Sequence, residues 1–295
     1  MKKIPYHIVD VFAEEKYAGN QLAVVRDAKA IPDKMKQHIA REMNFSETTF
    51  ILSDVKQDGG YNVRIFTPAN ELPFAGHPTL GTAYIIQREI IRREVKEIIL
   101  NLKVGQIHVS LSYAGKEPDT LWMHQLPPIF GHTLEKDMVC QVLGIDADEI
   151  DSRVPIEEVS TGVPFLIVPL RNLETLKKVR IVREKHLELI NRIEAKSILV
   201  FCRETHKSGN DLSVRVFVDY YGIPEDPATG SGNGCLAGYL VKHLYFGKPN
   251  INIRVEQGYE IGRPSLLLLK AEGMGERIDV HVGGKVINVA KGELF

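Results

Sequence analysis

The sequence predicts an α+β protein of two pseudo-symmetric domains, each a curved, mainly antiparallel sheet or barrel around a central helix. Three observations predict this class: an internal repeat, two helices that are apolar all round, and many short strand-like runs separated by glycine turns. With 295 residues, 44% of them apolar and 25% charged, the chain is globular in composition and long enough for two domains.

An internal repeat relates residues 64–86 to residues 215–241. Each copy begins with Arg-aliphatic-Phe, which is typical of a short strand, and passes through a proline-containing loop into a glycine-rich turn. Each copy ends in a small-residue helix that closes on Tyr and two aliphatic residues, and the two arginines are 151 residues apart. Strand-like runs before the copies, at 48–52 and 197–201, keep nearly the same offset. Two long copies predict two similar domains, because solenoids repeat with shorter periods.

Both copies contain a helical segment, 79–86 or 234–241, with almost no polar face. A helix that is apolar all round is buried on every side. The strands around these segments are joined by short glycine turns such as Gly59-Gly60 and Gly283-Gly284. The simplest arrangement is therefore a curved sheet wrapped around one helix in each domain, with the join between the domains near Pro127-Pro128.

Amphipathic stretches at 33–43 and 184–194 lie between the strands that precede each repeat. In the first stretch, Met35, Ile39 and Met43 share one face at helical spacing. These stretches are predicted to be helices that turn an apolar face toward the rest of their domain.

Composition and charge exclude several classes of function. Basic residues number 37 and acidic residues 38, so the net charge of −1 gives no general attraction to nucleic acid or anionic lipid. The cysteines Cys140, Cys202 and Cys235 are too few for a disulfide framework, which favours a reducing compartment. The longest apolar runs are only strand-sized. We therefore expect a cytoplasmic protein that acts on a small molecule, not on nucleic acid or membrane.

Two loops combine a strand end with a glycine-rich helix start, namely Gly76-His77-Pro78-Thr79 and Gly230-Ser231-Gly232. Free N–H groups at a helix start and the helix dipole favour an anion, so both loops are candidates for binding a carboxylate. A pseudo-twofold arrangement would point both loops at a shared interdomain cleft, a common place for small-molecule sites. The alternative is that the glycines only allow tight turns, with Ser231 as a helix N-cap.

The same loops carry the candidate catalytic side chains. His77 lies inside the first loop, and Asp226 lies just before the second. A third candidate, Glu47, directly precedes an apolar strand. A glutamate at a strand end is also typical of a solvated end residue or a cap, so the pattern alone leaves both roles open for Glu47.

At these residues the chain resembles the PhzF-like (phenazine-biosynthesis isomerase) family. The shared motifs run in order from residue 7 to about 290, and the longest are F-A-G-H-P-T-L-G at 74–81 and E-D-P-A-T-G-S-G at 225–232. The others are V-D-V-F, G-N-Q-L-A-V, N-x-S-E, E-Q-G and G-R-P-S, at 9–12, 19–24, 44–47, 256–258 and 262–265. The family resembles diaminopimelate epimerase in fold, which implies two domains related by a pseudo-dyad.

The resemblance implies a cofactor-independent isomerase that moves a proton between carbons of a small carboxylic acid. Glu47, in the N-x-S-E motif, would be the general acid/base that takes and returns the proton. His77 and Asp226 would position the polar groups of the substrate. The substrate-binding groups would be Gly76, Gly230 and Ser231. No metal, nucleotide or flavin is implied.

The resemblance also bears on related chemistry and on domain organisation. The epimerases of this fold use two cysteines as paired bases, and the corresponding positions here are Ala75 and Thr229, which disfavours a two-base racemase. The family topology implies that a strand within 285–295 pairs back into the first domain. The domains would then be 1–127 with that strand, and 128–284. A homodimer is also implied.

Other functions fit parts of the pattern less well. A dinucleotide site would need a third glycine where Cys235 stands, and a Ser-His-Asp hydrolase would need a G-x-S-x-G elbow, which fails at Thr229 and Asn233. No H-E-x-x-H or paired Cys/His spacing indicates a metal. A catalytically silent family member that binds a small carboxylate or regulates is the main alternative, and an amino-acid epimerase is a lesser one. The intact set of candidate side chains favours catalysis.

Overall fold

The computed structural model describes residues 3–275 and 277–295, except for the side chain of Tyr221. The chain divides into two compact units. Unit 1 contains the described residues up to His124 together with Gly283–Phe295, and unit 2 is Gln125–Val282. Residues 1 and 2 of the predicted N-terminal domain lie outside the described residues.

Unit 1 is built on a curved sheet that contains both the first and the last strand of the chain. Its strands, numbered in chain order, are β1 (Ile4–Val11), β2 (Asn20–Val25), β3 (Glu47–Ile51), β4 (Tyr61–Phe66), β5 (Glu71–Leu72), β6 (Glu97–Leu102), β7 (Gly105–Ala114), β8 (Glu117–His124) and β18 (Val286–Leu294). They pair in the order β18-β1-β2-β3-β4-β6-β7-β8, with β5 also paired to β4. The β2–β3 and β4–β6 pairs are parallel and the others antiparallel.

A central helix, α2 (Gly76–Ile85), runs through unit 1 with every residue buried. It packs on β1, β2, β3, β6, β7, β8 and β18, so the sheet curves around it. The packing is close at Gly81, where a Cβ atom would lie 2.6 Å from the side chain of Leu22. The Thr82 hydroxyl donates a hydrogen bond of 2.8 Å to that of Thr49 in β3, so this buried polar group has a partner. The predicted helix that is buried on all sides is confirmed.

Unit 2 repeats the strand pattern of unit 1. Its strands are β9 (Ile129–Leu134), β10 (Ile156–Ser160), β11 (Pro164–Pro169), β12 (Ser197–Cys202), β13 (Leu212–Val218), β14 (Ile223–Asp226), β15 (Asn250–Gln257), β16 (Ser265–Met274) and β17 (Arg277–Gly284), the last two residues of β17 belonging to unit 1. The pairing order is β9-β10-β11-β12-β13-β15-β16, with β14 paired to β13. The β11–β12 and β13–β15 pairs are parallel. This order and these directions match β18-β1-β2-β3-β4-β6-β7, so the sequence repeat is a repeat of one fold.

The central helix of unit 2 is α6 (Gly230–Lys242), which packs on β10, β11, β15 and β16. Its small residues face close neighbours. A Cβ atom at Gly238 would lie 2.8 Å from Pro128. The ring of Tyr239 packs edge-on against Phe201 of β12 at 5.9 Å between centroids. Burying a large apolar side chain contributes roughly 1.5–3 kcal/mol. Because most residues of α6 are buried among strands, apolar contact is the main contribution to its stability.

Shorter helices cover further apolar clusters of each unit. They are α1 (Asp33–Met43) in unit 1 and α3 (Lys136–Leu143), α4 (Leu173–Lys178) and α5 (Arg183–Ile190) in unit 2. The cluster near α1 contains Phe50 and Phe66, whose rings pack edge-on at 5.4 Å. Among the described residues, no helix has both the length and the apolar character needed to cross a membrane.

The apolar face predicted for α1 is wrong in detail. The buried residues of this helix are Lys36 and Ala40, whereas Met35 is half exposed. The ammonium group of Lys36 donates to the carbonyl of Ile31 and lies 3.3 Å from a carboxylate oxygen of Asp33. A charged group can be buried when it is paired in this way, and the residue pattern of the helix does not reveal such partners.

The turn predicted at Gly283-Gly284 is also wrong, because both residues lie in β17. A Cβ atom at Gly283 would lie 2.4 Å from the indole ring of Trp122. Glycine is needed at this position for the close approach of the backbone to that ring, not for a turn.

Candidate active site

An arginine–glutamate ion pair anchors the loop before each central helix. Glu71 and Glu225 each stand five residues before the first residue of a central helix. The guanidinium of Arg64 donates to both oxygens of Glu71, at 2.8 and 2.7 Å. Arg215 holds Glu225 in the same way, at 2.9 and 2.8 Å. These arginines are the ones that open the two sequence repeats, so the repeat encodes a bidentate anchor for each helix-start loop.

The two anchors differ in their remaining partners. In unit 1, Arg64 holds the pKa of Glu71 below its usual range, and Lys103 adds a contact of 2.6 Å to the same carboxylate. In unit 2, Arg215 is buried and also donates to the carbonyls of Leu176 and Val179 at 2.9 and 3.0 Å. Arg215 therefore ties the loop before α6 to the C-terminal end of α4 as well.

Glu47 is the first residue of β3 and lies beside Leu22 of the parallel strand β2. The preceding helix, α1, ends at Met43, and the left-handed backbone of the C-cap residue Asn44 (φ 53°) lets the chain leave the helix. Asparagine tolerates this conformation better than most residues. The N-x-S-E motif is therefore a helix stop followed directly by a strand start, and it places Glu47 at the mouth of β3.

The structure brings Glu47 and His77 together. His77 is the second residue of α2, and its Nε2 lies 3.4 Å from Oε2 of Glu47. Both side chains are largely withdrawn from solvent, with exposed fractions of 7% for His77 and 15% for Glu47. A solvated strand-end residue would be much more exposed, so the burial of Glu47 does not fit that alternative.

His77 is electrically neutral near pH 7. Burial lowers the pKa of its ring to about 3, and a hydrogen bond to the main chain of Gln21 opposes this shift only in part. Because that bond favours the protonated ring, the partner on Gln21 is an acceptor, which is the carbonyl group. Nε2 has no hydrogen-bond partner among the described residues, so the bonded atom is Nδ1. The contact with Glu47 therefore joins a carboxyl group to the lone pair of a neutral imidazole.

In unit 2 the structure places Asp226, Gly230 and Ser231 on one strand-loop-helix segment. Asp226 is the last residue of β14, is 8% exposed, and accepts a hydrogen bond of 2.5 Å from the Thr229 hydroxyl. Gly230 and Ser231 are the first two residues of α6. The N-cap position belongs to Thr229, so the alternative in which Ser231 caps the helix is wrong. Ser231 is half-buried and occupies the helix position that His77 holds in α2.

Gln257 fastens the segment that carries Asp226. Its Nε2 donates to the Asp226 carbonyl at 2.7 Å and to the Thr229 hydroxyl at 3.0 Å. Its Oε1 accepts from the Thr229 N–H at 3.1 Å and from the Asn233 amide at 2.9 Å. Gln257 lies in the E-Q-G motif, but the sequence alone assigns it no role, because its partners are 24 to 31 residues away.

The positions at which epimerases of this fold would carry cysteines are the N-cap residues of the two central helices, Ala75 and Thr229. The nearby Cys235 is fully buried, and burial raises the pKa of its thiol to about 11. Its sulfur lies 3.6 Å from the Thr161 hydroxyl and from the Val163 carbonyl. This thiol has the environment of a packed core residue, as the sequence predicts, and not that of a base.

The two units differ in chemistry at matching positions. The register of β3 with β4 and of β12 with β13 makes Ser197 the counterpart of Glu47. Ser231 is the counterpart of His77, and Leu72 that of Asp226. At these matching positions, the described residues place a carboxyl–imidazole pair in unit 1 alone and the polar cluster around Asp226 in unit 2 alone.

Comparison with known proteins identifies the class. The profile of the PhzC-PhzF family, described as phenazine biosynthesis-like protein, matches residues 9–292. The trans-2,3-dihydro-3-hydroxyanthranilate isomerase of Pseudomonas aeruginosa is 34% identical over 98% of this chain and 99% of that protein. The crystal structure of the Bacillus anthracis phenazine biosynthesis protein of the PhzF family matches all of both chains with a TM-score of 0.91 at 26% identity.

The fold is also shared with a more distant class. A hydroxyproline epimerase from Agrobacterium vitis matches 100% of this chain and 91% of its own with a TM-score of 0.65 at 10% identity, a likeness of fold alone. The fold and the relatives together define an isomerase built on the architecture of racemases and epimerases. The chain belongs to the PhzC-PhzF family of phenazine biosynthesis-like proteins. The predicted family, fold class and enzyme class are confirmed.

Proposed function

We propose that this isomerase needs no cofactor and moves a proton between two carbons of a small carboxylic acid, with Glu47 as the proton shuttle. The observation that carries the proposal is the buried contact of 3.4 Å between Glu47 and the neutral ring of His77. A proton shuttle must act first as a base and then as an acid, and a largely buried carboxyl group facing an uncharged hydrogen-bond acceptor suits both roles.

The reaction balances without an oxidant or a second substrate. The Glu47 carboxylate takes a proton from one substrate carbon, and the electron pair of the broken C–H bond spreads through the conjugated system of the substrate. The Glu47 carboxyl group then returns a proton to another carbon of that system. His77 Nε2 can accept a hydrogen bond from the protonated carboxyl or from a substrate donor, and so keeps the shuttle oriented between the two transfers.

The other predicted residues would hold the substrate. Gly76, Gly230 and Ser231 stand in the first turn of a central helix, where main-chain N–H groups are free to bind a carboxylate. Such donors would also stabilise the charge that spreads through the intermediate. Asp226 can accept a hydrogen bond from a substrate hydroxyl or amino group. The Pseudomonas aeruginosa relative is named for a substrate that carries all three groups, which supports an amino- or hydroxy-substituted unsaturated carboxylic acid as the substrate class here.

Deuterium exchange followed by NMR tests the proposal. The protein is incubated in D₂O with a panel of small unsaturated, amino and hydroxy carboxylic acids that includes trans-2,3-dihydro-3-hydroxyanthranilate. We expect deuterium to enter a substrate carbon with wild type, and Glu47→Gln to lower the rate by at least about 100-fold, since acid–base catalysis contributes about 10²–10⁴-fold. Folding and most of the substrate affinity should survive, because the amide has the same shape.

Glu97→Gln is the matched control. Glu97 is the first residue of β6 and lies 3.0 Å from His108, but its side chain is 47% exposed. This variant should turn over like wild type. Full activity in Glu47→Gln would overturn the shuttle, and an inverted, labelled α-carbon would indicate an epimerase. A folded wild type that binds the acids but exchanges none of them would favour a silent, carboxylate-binding family member.

A further inference from the structure

The side-chain amide of Gln257 uses all four of its hydrogen-bonding positions. Its N–H groups donate to the Asp226 carbonyl and the Thr229 hydroxyl, and its oxygen accepts from the Thr229 N–H and the Asn233 amide. The residue is 1% exposed, so water does not compete for these bonds. The amide cannot be reversed, since its NH₂ group would then face the Thr229 N–H.

The fold itself does not require this cluster. The register of β4 with β6 and of β13 with β15 places Leu102 at the position of Gln257 in unit 1. The counterparts of Asp226, Thr229 and Asn233 are Leu72, Ala75 and Thr79. Unit 1 thus builds the same strand, loop and central helix with side chains that cannot form the cluster.

The neighbouring residue in β15, Glu256, has a purely structural role, because it holds a loop in place. Its buried carboxylate accepts bonds from the main chain of His206 and Lys207 at 2.7 and 2.8 Å and from the Asn210 amide at 2.6 Å. Its counterpart in unit 1, Asn101, donates to the main chain of Gln57 at 2.7 Å. Each of the two residues holds the loop that leads into the neighbouring strand of the sheet, from β12 to β13 in unit 2 and from β3 to β4 in unit 1. This role is therefore common to the two units, whereas that of Gln257 is not.

We infer that Gln257 is a positioning residue for the substrate-binding segment 226–233: it aims the Asp226 carboxylate and the α6 helix start through Thr229 without touching substrate. The inference rests on the proposed function for its consequence in catalysis. The Asp226 carboxylate belongs to the cluster because it accepts a hydrogen bond from the Thr229 hydroxyl, so the direction of that carboxylate depends on the same hydroxyl that Gln257 holds.

The first test uses Gln257→Glu, which keeps the shape but replaces a donor by an acceptor. Hydrogen exchange is measured by mass spectrometry at pH 8 without substrate. Exchange should become about tenfold faster in peptides covering 226–234, because the introduced oxygen faces the Asp226 carbonyl. Peptides covering 205–211 should be unchanged. Glu256→Gln is the matched control and should give the opposite pattern.

The second test is a pH profile of turnover per folded molecule. At pH 8 the introduced carboxylate should raise KM about tenfold with a smaller change in kcat. Near pH 5.5 the buried carboxyl should be protonated, so that it donates again and brings KM to within about twofold of wild type. Asp226 is the other acid in the cluster, so the KM of the variant is compared with that of wild type at each pH. A merely structural residue would change the yield of folded protein but would show no such recovery.

The outcomes separate this inference from the proposed function. If wild type does not turn over any acid, the proposed function fails, and the exchange pattern still decides whether Gln257 orders segment 226–233. Equal exchange in both sets of peptides, or an unchanged KM at pH 8 in a folded variant, would overturn the inference. If Gln257→Glu does not fold, Thr229→Val removes the shared hydroxyl while keeping its shape, and should likewise speed exchange only in 226–234.

Discussion

At the scale of the residue, burial shifts the pKa values that determine which side chains are charged or reactive. The ring of His77 stays neutral because it is desolvated, and the same effect raises the pKa of the Cys202 and Cys235 thiols to about 12 and 11. A thiol becomes a nucleophile or a base only as the thiolate. The chain therefore carries three buried, unpaired cysteines, none of which has the environment of a reactive group.

The cysteines provide a direct prediction. The folded protein should resist alkylation by iodoacetamide at pH 8, with fewer than about one in ten molecules modified after an hour, because burial shields all three thiols from the reagent and raises their pKa values. For Cys235, whose pKa is raised to about 11, the thiolate fraction at pH 8 is about one in a thousand. Mass spectrometry of the intact protein measures the modified fraction. The same treatment in urea should modify Cys140, Cys202 and Cys235. Rapid alkylation of the folded protein, with or without loss of activity, would show that at least one of these thiols is accessible and reactive, contrary to this account.

The candidate residues were predictable where a motif resembles that of the family. The local pattern leaves the role of Glu47 open, and the resemblance of the N-x-S-E motif makes it a candidate acid/base. His77 is a candidate from its place in the first glycine-rich loop, and the structure brings the two side chains together. Gln257 was not found, because a buried amide is recognised by its partners, and these come from another strand-loop-helix segment. The sequence alone does not show that Leu72 is the counterpart of Asp226. That correspondence follows from the strand register, in which β14 pairs with β13 as β5 pairs with β4.

At the scale of the element, each central helix is held by apolar contact and each helix-start loop by an arginine–glutamate pair. The two pairs occupy equivalent positions in the sequence repeat, but they differ in how far they are buried. The Arg215 side chain is 5% exposed and that of Arg64 is 21% exposed. A bidentate guanidinium cannot be replaced by the single ammonium group of lysine without losing at least one bond to the carboxylate.

Substitution by lysine should therefore affect the two units unequally. We expect Arg215→Lys to lower the free energy of unfolding by about 3 kcal/mol, as for the breaking of a buried pair, since the Glu225 carboxylate and the carbonyl of Leu176 lose donors. Arg64→Lys should lower it by only about 1 kcal/mol, because water reaches that pair. Urea unfolding followed by circular dichroism compares the variants, and an equal effect would contradict this account.

The elements were largely predictable because their signals are local. The two buried helices follow from segments with almost no polar face, and the strands of the repeat follow from short aliphatic and aromatic runs between turns. The errors lie where a long-range contact overrides the pattern. Lys36 can be buried because its ammonium group donates a hydrogen bond to the carbonyl of Ile31, and Gly283 marks a contact with Trp122 instead of a turn. The π-helix Ile86–Ile91, which continues α2, had no signal in the sequence that we could identify.

At the scale of the whole molecule, the same fold occurs in both units, but each candidate catalytic side chain occurs in only one of them. A two-base racemase needs matching bases in its two halves, and the duplication would supply them if both copies were kept. Here Glu47 faces His77 in unit 1, while Ser197 and Ser231 occupy the matching positions in unit 2. This asymmetry is an argument for the single proton shuttle proposed above and against a pair of matching bases.

Buried histidines also determine how the stability of the molecule depends on pH. Desolvation is the main cause that lowers the pKa of His7, His77 and His186, and only in His77 is the shift large enough to bring the pKa to about 3. Because the unfolded rings take up protons near pH 6.5 and the folded ones do not, stability is retained above pH 6.5 and falls as the solution is acidified. Carboxylates with lowered pKa values, such as Glu71, add to the loss only below about pH 4.5.

The free energy of unfolding should therefore decrease between pH 7 and pH 5, before the carboxylates contribute. The His77 contribution alone is about 2 kcal/mol at pH 5, from 1.36 kcal/mol per pH unit over the 1.5 units below 6.5. Urea unfolding at pH 7, 6 and 5 measures the decrease. In His77→Asn it should be smaller by that amount, whatever the stability of the variant at pH 7. His38→Asn, which changes an exposed histidine of α1, should leave the wild-type decrease unaltered. Equal decreases in wild type and in His77→Asn would show that the folded protein does not suppress protonation of the His77 ring, and the neutral partner proposed for Glu47 would be lost with it.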